Sequence, residues 1–326
     1  MAEKKVSETG ALLAYMTDRL LASSLNDATM RTARCGQWPD AAWRALTEQG
    51  LTHALVEGEQ GFGVPLKEGL ALIRLFGRYA TPLPIAETMI ANALLARAGL
   101  DVVEGPLALA SSERVAWGRQ AKALLVESGG RAGLVTSFRV IEEGSNLAGL
   151  PRDQMVMDGD PHFGTDPGIT VLEAGSLIRA LLMAGALQRL VELTVAHTSE
   201  RVQFGKTLSS FQAVQHSLAR LASEDAAASA AADLAADAFA TSSPHLETAI
   251  AAARCRIGEA AGVAIGIAHQ LHGAIGFTEE HRLHWYTTAL WGWRDEFGTS
   301  AWWTRRLGEL ALSQSKQGYW PFVTAV

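Results

Sequence analysis

Apolar side chains recur at helical spacing over the first hundred residues. Leu12, Leu13, Met16, Leu20 and Leu21 make one stripe; Ala42, Trp43, Leu46 and Leu51 make a second. The turn Glu59-Gln60-Gly61-Phe62-Gly63-Val64-Pro65 breaks the pattern. It resumes at Leu70, Leu72, Ile73 and Phe76, and again over 85–98 after Pro82 and Pro84. Between 101 and 167 the texture changes. Short runs such as 123–126 and 134–140 carry Val, Ile and Thr and are separated by Gly, Ser, Asp and Pro, which predicts a few short strands. The Gly and Asp cluster over 158–168 reads as the exit linker. Helical spacing then returns and stays. Leu177, Leu181, Gly185 and Gln188 open a long helix, and 208–240 and 250–271 supply two more around a turn at Ser242-Ser243-Pro244. The alanine-rich stretch 226–236 fits a helix that approaches its neighbours closely. The pattern predicts a mainly α protein with a small β domain: an N-terminal helical domain (1–100), a reduced middle β domain (101–167) and a C-terminal four-helix-type bundle (168–326).

Composition narrows the function. Of 326 residues, 48% are apolar and 19% charged, which suits a packed globular chain. The formal net charge is -6, and Lys4-Lys5 and Arg305-Arg306 are the longest basic runs, so an electrostatic nucleic-acid binder is not expected. No apolar run, 180–187 included, approaches the ~20 residues that span a bilayer, and the start of the chain is polar, without the apolar core of a signal peptide. Cys35 and Cys255 form no CxxC pattern. A reducing, cytoplasmic setting away from membranes is the expectation.

Several chemical templates fail. The chain has no GxSxG, GxxxxGK[ST] or HExxH, and no GxGxxG after a strand. His269, His272, His281 and His284, with Glu279 and Glu280, form a local cluster; His269 and His272 are three apart, a spacing that can place two ligands on one helix face. Polar residues at a helix end explain it as well, and no metal site is assigned. In the segment 200–216, ERVQFGKTLSSFQAVQH, one helix stops at Gly205 and another starts after Ser209-Ser210. Arg201 there suits either a surface ion pair or a forked contact to a diphosphate. In the segment 270–278, QLHGAIGFT, a helix ends in Gly273 and Gly276, which serves a helix cap or a close approach of backbone to a ligand. Trp285, Trp291, Trp293, Trp302 and Trp303 fall within nineteen residues, a density that points to packing or a subunit interface.

Taken in order, ERVQFGKTLSSFQAVQH, QLHGAIGFTEEH and the Gly298-Thr299-Ser300 triplet resemble the acyl-CoA dehydrogenase family. So does the N-terminal EGEQGFGVPLKEGLALIRLFGRYATPLPIAET. The resemblance covers nearly the whole chain and is weakest in the middle domain. It implies a helical–β–helical architecture and FAD held between subunits. Arg201, Gln203 and Phe204 match the pyrophosphate-contacting positions, and Gln212 a further FAD contact. Gln270, Leu271, His272, Gly273 and Ala274 match the loop at the adenosine end, and Thr299 and Ser300 a flavin-touching triplet. The implied reaction is α,β-dehydrogenation of an acyl-CoA thioester, with electrons passed on to an electron-transfer flavoprotein.

The chain also departs from that pattern. In most members the base is a Glu immediately before the triplet glycine; here that position is Phe297. Glu296, one residue earlier and rotated by about 100° if helical, is the catalytic candidate. An alternative base position, counted back from Arg201, falls near Gly175 and Ser176, with Glu173 two residues away. The middle domain lacks the family's Thr-Glu-Pro-Gly-type loop and Trp-containing strand; 115–118 and 121–126 look like the part that precedes them. The resemblance therefore implies the short chain of a heterotetramer of two unlike dehydrogenase chains, as in bacterial degradation of steroid side chains. It would complete the FAD site of a full-length partner. The alternatives are a self-sufficient homo-oligomeric dehydrogenase using Glu296, or a non-enzymatic helical scaffold.

Overall fold

Five helices open the chain: α1 (Glu8–Ser24), α2 (Asp27–Arg34), α3 (Asp40–Glu48), α4 (Leu66–Arg78) and α5 (Ile85–Arg97). The computed structural model describes residues 8–58, 61–313 and 320, so Glu59 and Gln60 of the expected turn lie outside the described residues. Asn26 caps α2, its side chain accepting from the Thr29 N–H at 3.0 Å. The second stripe is shorter than its apolar spacing predicts. Gly50 takes a left-handed conformation (φ +71°) that ends the run, and Leu51 moves into a separate 3-10 turn, Leu51–His53. Helix α5 is buried over most of its circumference, the pattern of a central helix. Its Asn92 holds two loops, donating to the Thr52 carbonyl at 3.2 Å and accepting from the Val103 N–H at 2.9 Å.

The strands are β1 (Leu107–Leu109), β2 (Arg114–Ala116), β3 (Ala123–Ser128), β4 (Arg131–Val135), β5 (Phe138–Glu142), β6 (Arg152–Met157) and β7 (His162–Phe163). They form two small sheets, ordered β1-β3-β4-β7 and β2-β6-β5. Two expectations change here. The single run over 134–140 is two strands: the chain leaves one sheet at Val135 and enters the other at Phe138, because β4 pairs with β3 while β5 pairs with β6. The linker over 158–168 contains β7, a two-residue strand made by pairing with β4 rather than by local propensity. Asp153 on β6 anchors the second sheet. It is fully buried, accepts from Arg119 Nε at 3.0 Å and from the Arg119 and Gly144 backbone N–H groups at 2.9 and 3.1 Å. Burial pushes the Asp153 carboxyl up, but the Arg119 and backbone donors outweigh it and hold the group below its usual range.

The remaining elements are α6 (Val171–Glu200), the hairpin β8 (Val202–Gln203) and β9 (Lys206–Thr207), α7 (Gln212–Ala240), α8 (Leu246–His272), α9 (Leu283–Arg294) and α10 (Ser300–Ser313). Helix α6 starts with a capping box. The Thr170 N–H and hydroxyl donate to Glu173 at 2.9 and 2.7 Å, and the Glu173 N–H donates back to Thr170 Oγ1 at 3.1 Å. Helices α7 and α8 pack together with Ala228, Ala232, Ala235, Ala249, Ala253 and Ala260 buried. Helix α6 corrects the expectation that no segment has the length and hydropathy of a membrane span. It is the one described helix that does, and 83% of its apolar window is buried within the protein. The chain divides into two compact units, residues 1–178 and 179–326.

Candidate functional site

The sequence-derived candidates fall at two ends of the C-terminal unit. At one end is the turn after α9. Here Glu296 is 2% exposed, and the Arg179 Nε on α6 donates to its Oε2 at 2.6 Å. Arg179 also lies 5.2 Å above the Phe297 ring. From α8, Arg254 reaches the same turn and donates to the carbonyls of Arg294, Glu296 and Gly298 at 2.8–2.9 Å. The last carbonyls of a helix have no intrahelical partner and carry its negative dipole end, so a guanidinium there both satisfies and neutralises them. Burial and the nearby Arg179 push the Arg254 guanidinium down to about 10, which leaves it a cation at neutral pH. Phe297 and Gly298 both sit at positive φ, +52° and +92°, so the chain reverses tightly where a helical continuation of α9 would have aimed Glu296 elsewhere. The Trp303 indole N–H donates to the Phe297 carbonyl at 2.9 Å and locks that turn.

Thr299 and Ser300 follow directly. Thr299 is the cap of α10, its hydroxyl accepting from the Trp302 N–H at 3.2 Å. The buried Ser300 hydroxyl packs at Gly258, where an added Cβ would come within 2.5 Å of it. Glu173, the other carboxylate near a base position, is held in the capping box of α6.

The other end is open. Arg201 is exposed immediately after α6, its N–H capping onto the His197 carbonyl at 2.9 Å. The hairpin that follows turns on Phe204 (φ +52°) and Gly205 (φ +80°), two left-handed residues in succession, as a two-residue hairpin requires. Phe204 is 91% exposed on that turn, and Gln203 is exposed beside it. Gln212 is exposed as the first residue of α7, whose N-terminus receives no side-chain cap from Phe211. Across from the end of α6, α8 finishes at His272. Gly273 takes φ +64° and the chain makes a 3-10 turn through Gly273–Phe277, with Gln270, Gly273, Ala274 and Ile275 exposed. Leu271 is half-buried and His272 is buried. The stacking of His197 on His272, ring centroids 4.4 Å apart, joins this turn to the last turn of α6.

So the structure brings Arg201 and Gln270–Ala274 to one face and leaves Thr299 and Ser300 apart from it. Ser300 packs at Gly258, twelve residues back from Gln270 along α8, or roughly 18 Å at helical rise. His269, three residues before His272 in α8, does not join it in a ligand cluster. His269 instead stacks on Phe277 at 4.3 Å, with its Nε2 3.3 Å from Thr287 Oγ1, while the ring that joins His272 and His281 is His197. Sequence reading missed His197, Arg179 and Arg254. Arg179 stands alone in Leu177-Ile178-Arg179-Ala180-Leu181-Leu182, and a cation within such an apolar run signals a buried partner; His197 sits one helical turn before Arg201.

The structure has two small sheets, a long apolar helix bundle and an exposed face on glycine turns. Comparison with known proteins gives the family. Residues 168–307 match the family described as acyl-CoA dehydrogenase, C-terminal domain. The chain is 31% identical over 287 residues to acyl-CoA dehydrogenase IpdE2 of Mycobacterium tuberculosis, covering 82% of this chain and 86% of that protein. This chain belongs to the acyl-CoA dehydrogenase family. Among solved structures it is similar to a variant of the Tcur3481-Tcur3483 steroid ACAD (TM-score 0.82, 20% identity, 95% of this chain and 99% of that one). It is also similar to the ChsE4-ChsE5 complex from Mycobacterium tuberculosis (TM-score 0.81, 20% identity, 96% and 100%).

Proposed function

We propose that this chain is the non-base subunit of a heteromeric, FAD-dependent acyl-CoA dehydrogenase, completing the flavin site of a full-length partner chain. The observation that carries this reading is the state of Glu296. A general base needs a lone pair free to reach the substrate and a pKa near the working pH. Glu296 is buried, and its carboxylate is engaged by Arg179 at 2.6 Å. Phe297 occupies the position where most members carry the base. The chain would therefore contribute binding rather than proton abstraction.

The exposed face suits the ADP half of FAD. A diphosphate calls for a fixed cation, free N–H donors and backbone that can come close. Arg201 supplies the cation, and the uncapped start of α7 beside Gln212 supplies donors. A Cβ built at Gly205 or Gly273 would meet nothing within 4 Å, so both turns are open to a ligand. Bound FAD supplies the acceptor for the β-hydride of the thioester. In this reading Arg201, Gln203, Phe204, Gln212 and Gln270–Ala274 grip the ADP half of a flavin lying on the neighbour. Thr299 and Ser300, set apart on α10, serve a separate contact. The division of labour follows residues 1–100, 101–167 and 168–326, with electron-transfer flavoprotein as acceptor. One solved neighbour is named a steroid ACAD of two proteins and another a two-protein complex, which supports a partner chain and a steroid-type acyl-CoA; a cytoplasmic setting belongs to the same proposal.

The test is co-expression with a full-length acyl-CoA dehydrogenase chain from the same genome, against expression alone. The complex is expected to carry FAD and to oxidise acyl-CoA, and Arg201→Ala to lose most of that flavin. A chain that binds FAD and turns over by itself overturns the reading, as does a complex whose flavin content is untouched by Arg201→Ala.

A further inference from the structure

Next to the open face lies a constellation that shares only His272 with the flavin reading. His197 in the last turn of α6, His272 at the end of α8 and His281 just before α9 each place one ring nitrogen within 4.8 Å of the others. Among the described residues it is the one group of three His, Cys, Asp or Glu close enough to share an ion.

His272 is the anchor. It is 5% exposed, and its Nδ1 lies 2.8 Å from the Ala268 carbonyl. A carbonyl can only accept, so the proton is on Nδ1 and the lone pair on Nε2. That Nε2 is buried and meets no hydrogen-bond partner. A buried acceptor left without a partner destabilises the fold, and a carbonyl-backed Nδ1–H is how metal-ligating histidines are usually oriented. Burial, reinforced by His197, His281 and His269, pushes His272 down to about 4. Burial also lowers His197, with Arg201 beside it, and His281.

We propose that His197, His272 and His281 form a transition-metal site, a three-imidazole donor set suited to Zn²⁺ with one position left for water or a partner's side chain. Binding requires local closure. Zn–N bonds of about 2.0–2.1 Å bring tetrahedral ligands to roughly 3.4 Å from one another. His197 stacks on His272 with 20° between the planes, and one ion cannot lie in the planes of two parallel rings. His197 must therefore turn, and its partly exposed ring has a solvent side to turn into. His281 Nδ1 accepts from the Leu283 N–H at 3.1 Å. That N–H opens α9 and has no intrahelical partner, so water can take it over and release the lone pair to the ion.

The site stands apart from the flavin assignment, because metal content is read without flavin. The full chain, purified without a polyhistidine tag and stripped by chelation, is titrated with Zn²⁺ against a competing chromophoric chelator. Bound metal is measured after desalting. One zinc per chain is expected, with affinity lowered about 100-fold or more in His272→Ala, His281→Ala and His197→Ala and unchanged in His269→Ala. Co²⁺ in place of zinc is expected to show the visible absorption of a tetrahedral site. Absence of zinc binding overturns the proposal, and so does zinc binding that His272→Ala leaves intact. If His272→Ala fails to fold, the partly exposed His197→Ala decides by the same criterion.

Discussion

Helix α8 presents opposite treatments of charge at its two ends. Toward its N-terminal half, Arg254 is buried beside Arg179 and Glu296, and the charges there are answered within the chain: guanidinium to carboxylate and guanidinium to helix-end carbonyls, with an indole to a carbonyl next to them. At its C-terminal end, an exposed Arg201, a 91% exposed Phe204 and glycine turns with open space above them are left unmatched. The lesson is physical. A buried charge without a partner is untenable, so buried charges are answered inside the fold. The Phe204 ring on its tight hairpin meets Phe211 edge-on at 6.2 Å and leaves most of its surface open to solvent. The turn that holds Glu296 is closed by internal pairing, while the face around Arg201 and Gly273 is open.

The largest effect that could break this contrast is at Arg179. Arg179→Ala removes the guanidinium that engages the buried Glu296 carboxylate, and a loss of about 3–5 kcal/mol in chemical denaturation is expected. The double change Arg179→Met, Glu296→Leu should recover most of it; a single change costing under about 1 kcal/mol would mean that the pair is not structural. Next is the pH response of the other buried pair. The folded-state pKa of Asp153 is depressed, so the unfolded chain binds the extra proton first as pH falls. The stability from Asp153 is fully present above about pH 4 and is lost as pH drops through its lower folded value. Denaturation midpoints between pH 7 and 3 should fall more steeply below pH 4 in the native chain than in Asp153→Asn. Thr299→Ala removes the cap of α10 and should cost about 1 kcal/mol in the same assay. Smallest, Arg201→Ala should change stability by no more than about 0.5 kcal/mol, since it is exposed. A larger loss there would move Arg201 from the binding face to the scaffold and erase the contrast.

Much of the fold is legible in the residue pattern. The helix stripes of α1, α4 and α5, the break into short strands after residue 101 and the long apolar helix from 171 all follow from local periodicity. The motif residues Arg201 and Gln270–Ala274 stand out because glycines and helix ends are local features. The capping box is equally local: Thr170 followed three residues later by Glu173 is enough to mark Glu173 as a helix cap. The split of 134–140 is hidden, since strand partners are distant in sequence and both halves have similar composition. The His cluster is obscured for the same reason. Spacing suggests His269 beside His272 on one helix face, whereas His197 arrives from a helix more than seventy residues earlier.

The sequence by itself determined the elements, their order and the family, because helix and strand periodicities and cap residues act over a few positions. Only the tertiary structure decided what Glu296 is. Its carboxylate could have reached a substrate or a cation. The choice depends on Arg179, 117 residues away, being carried to 2.6 Å by α6 in a buried core where a carboxylate calls for a cation.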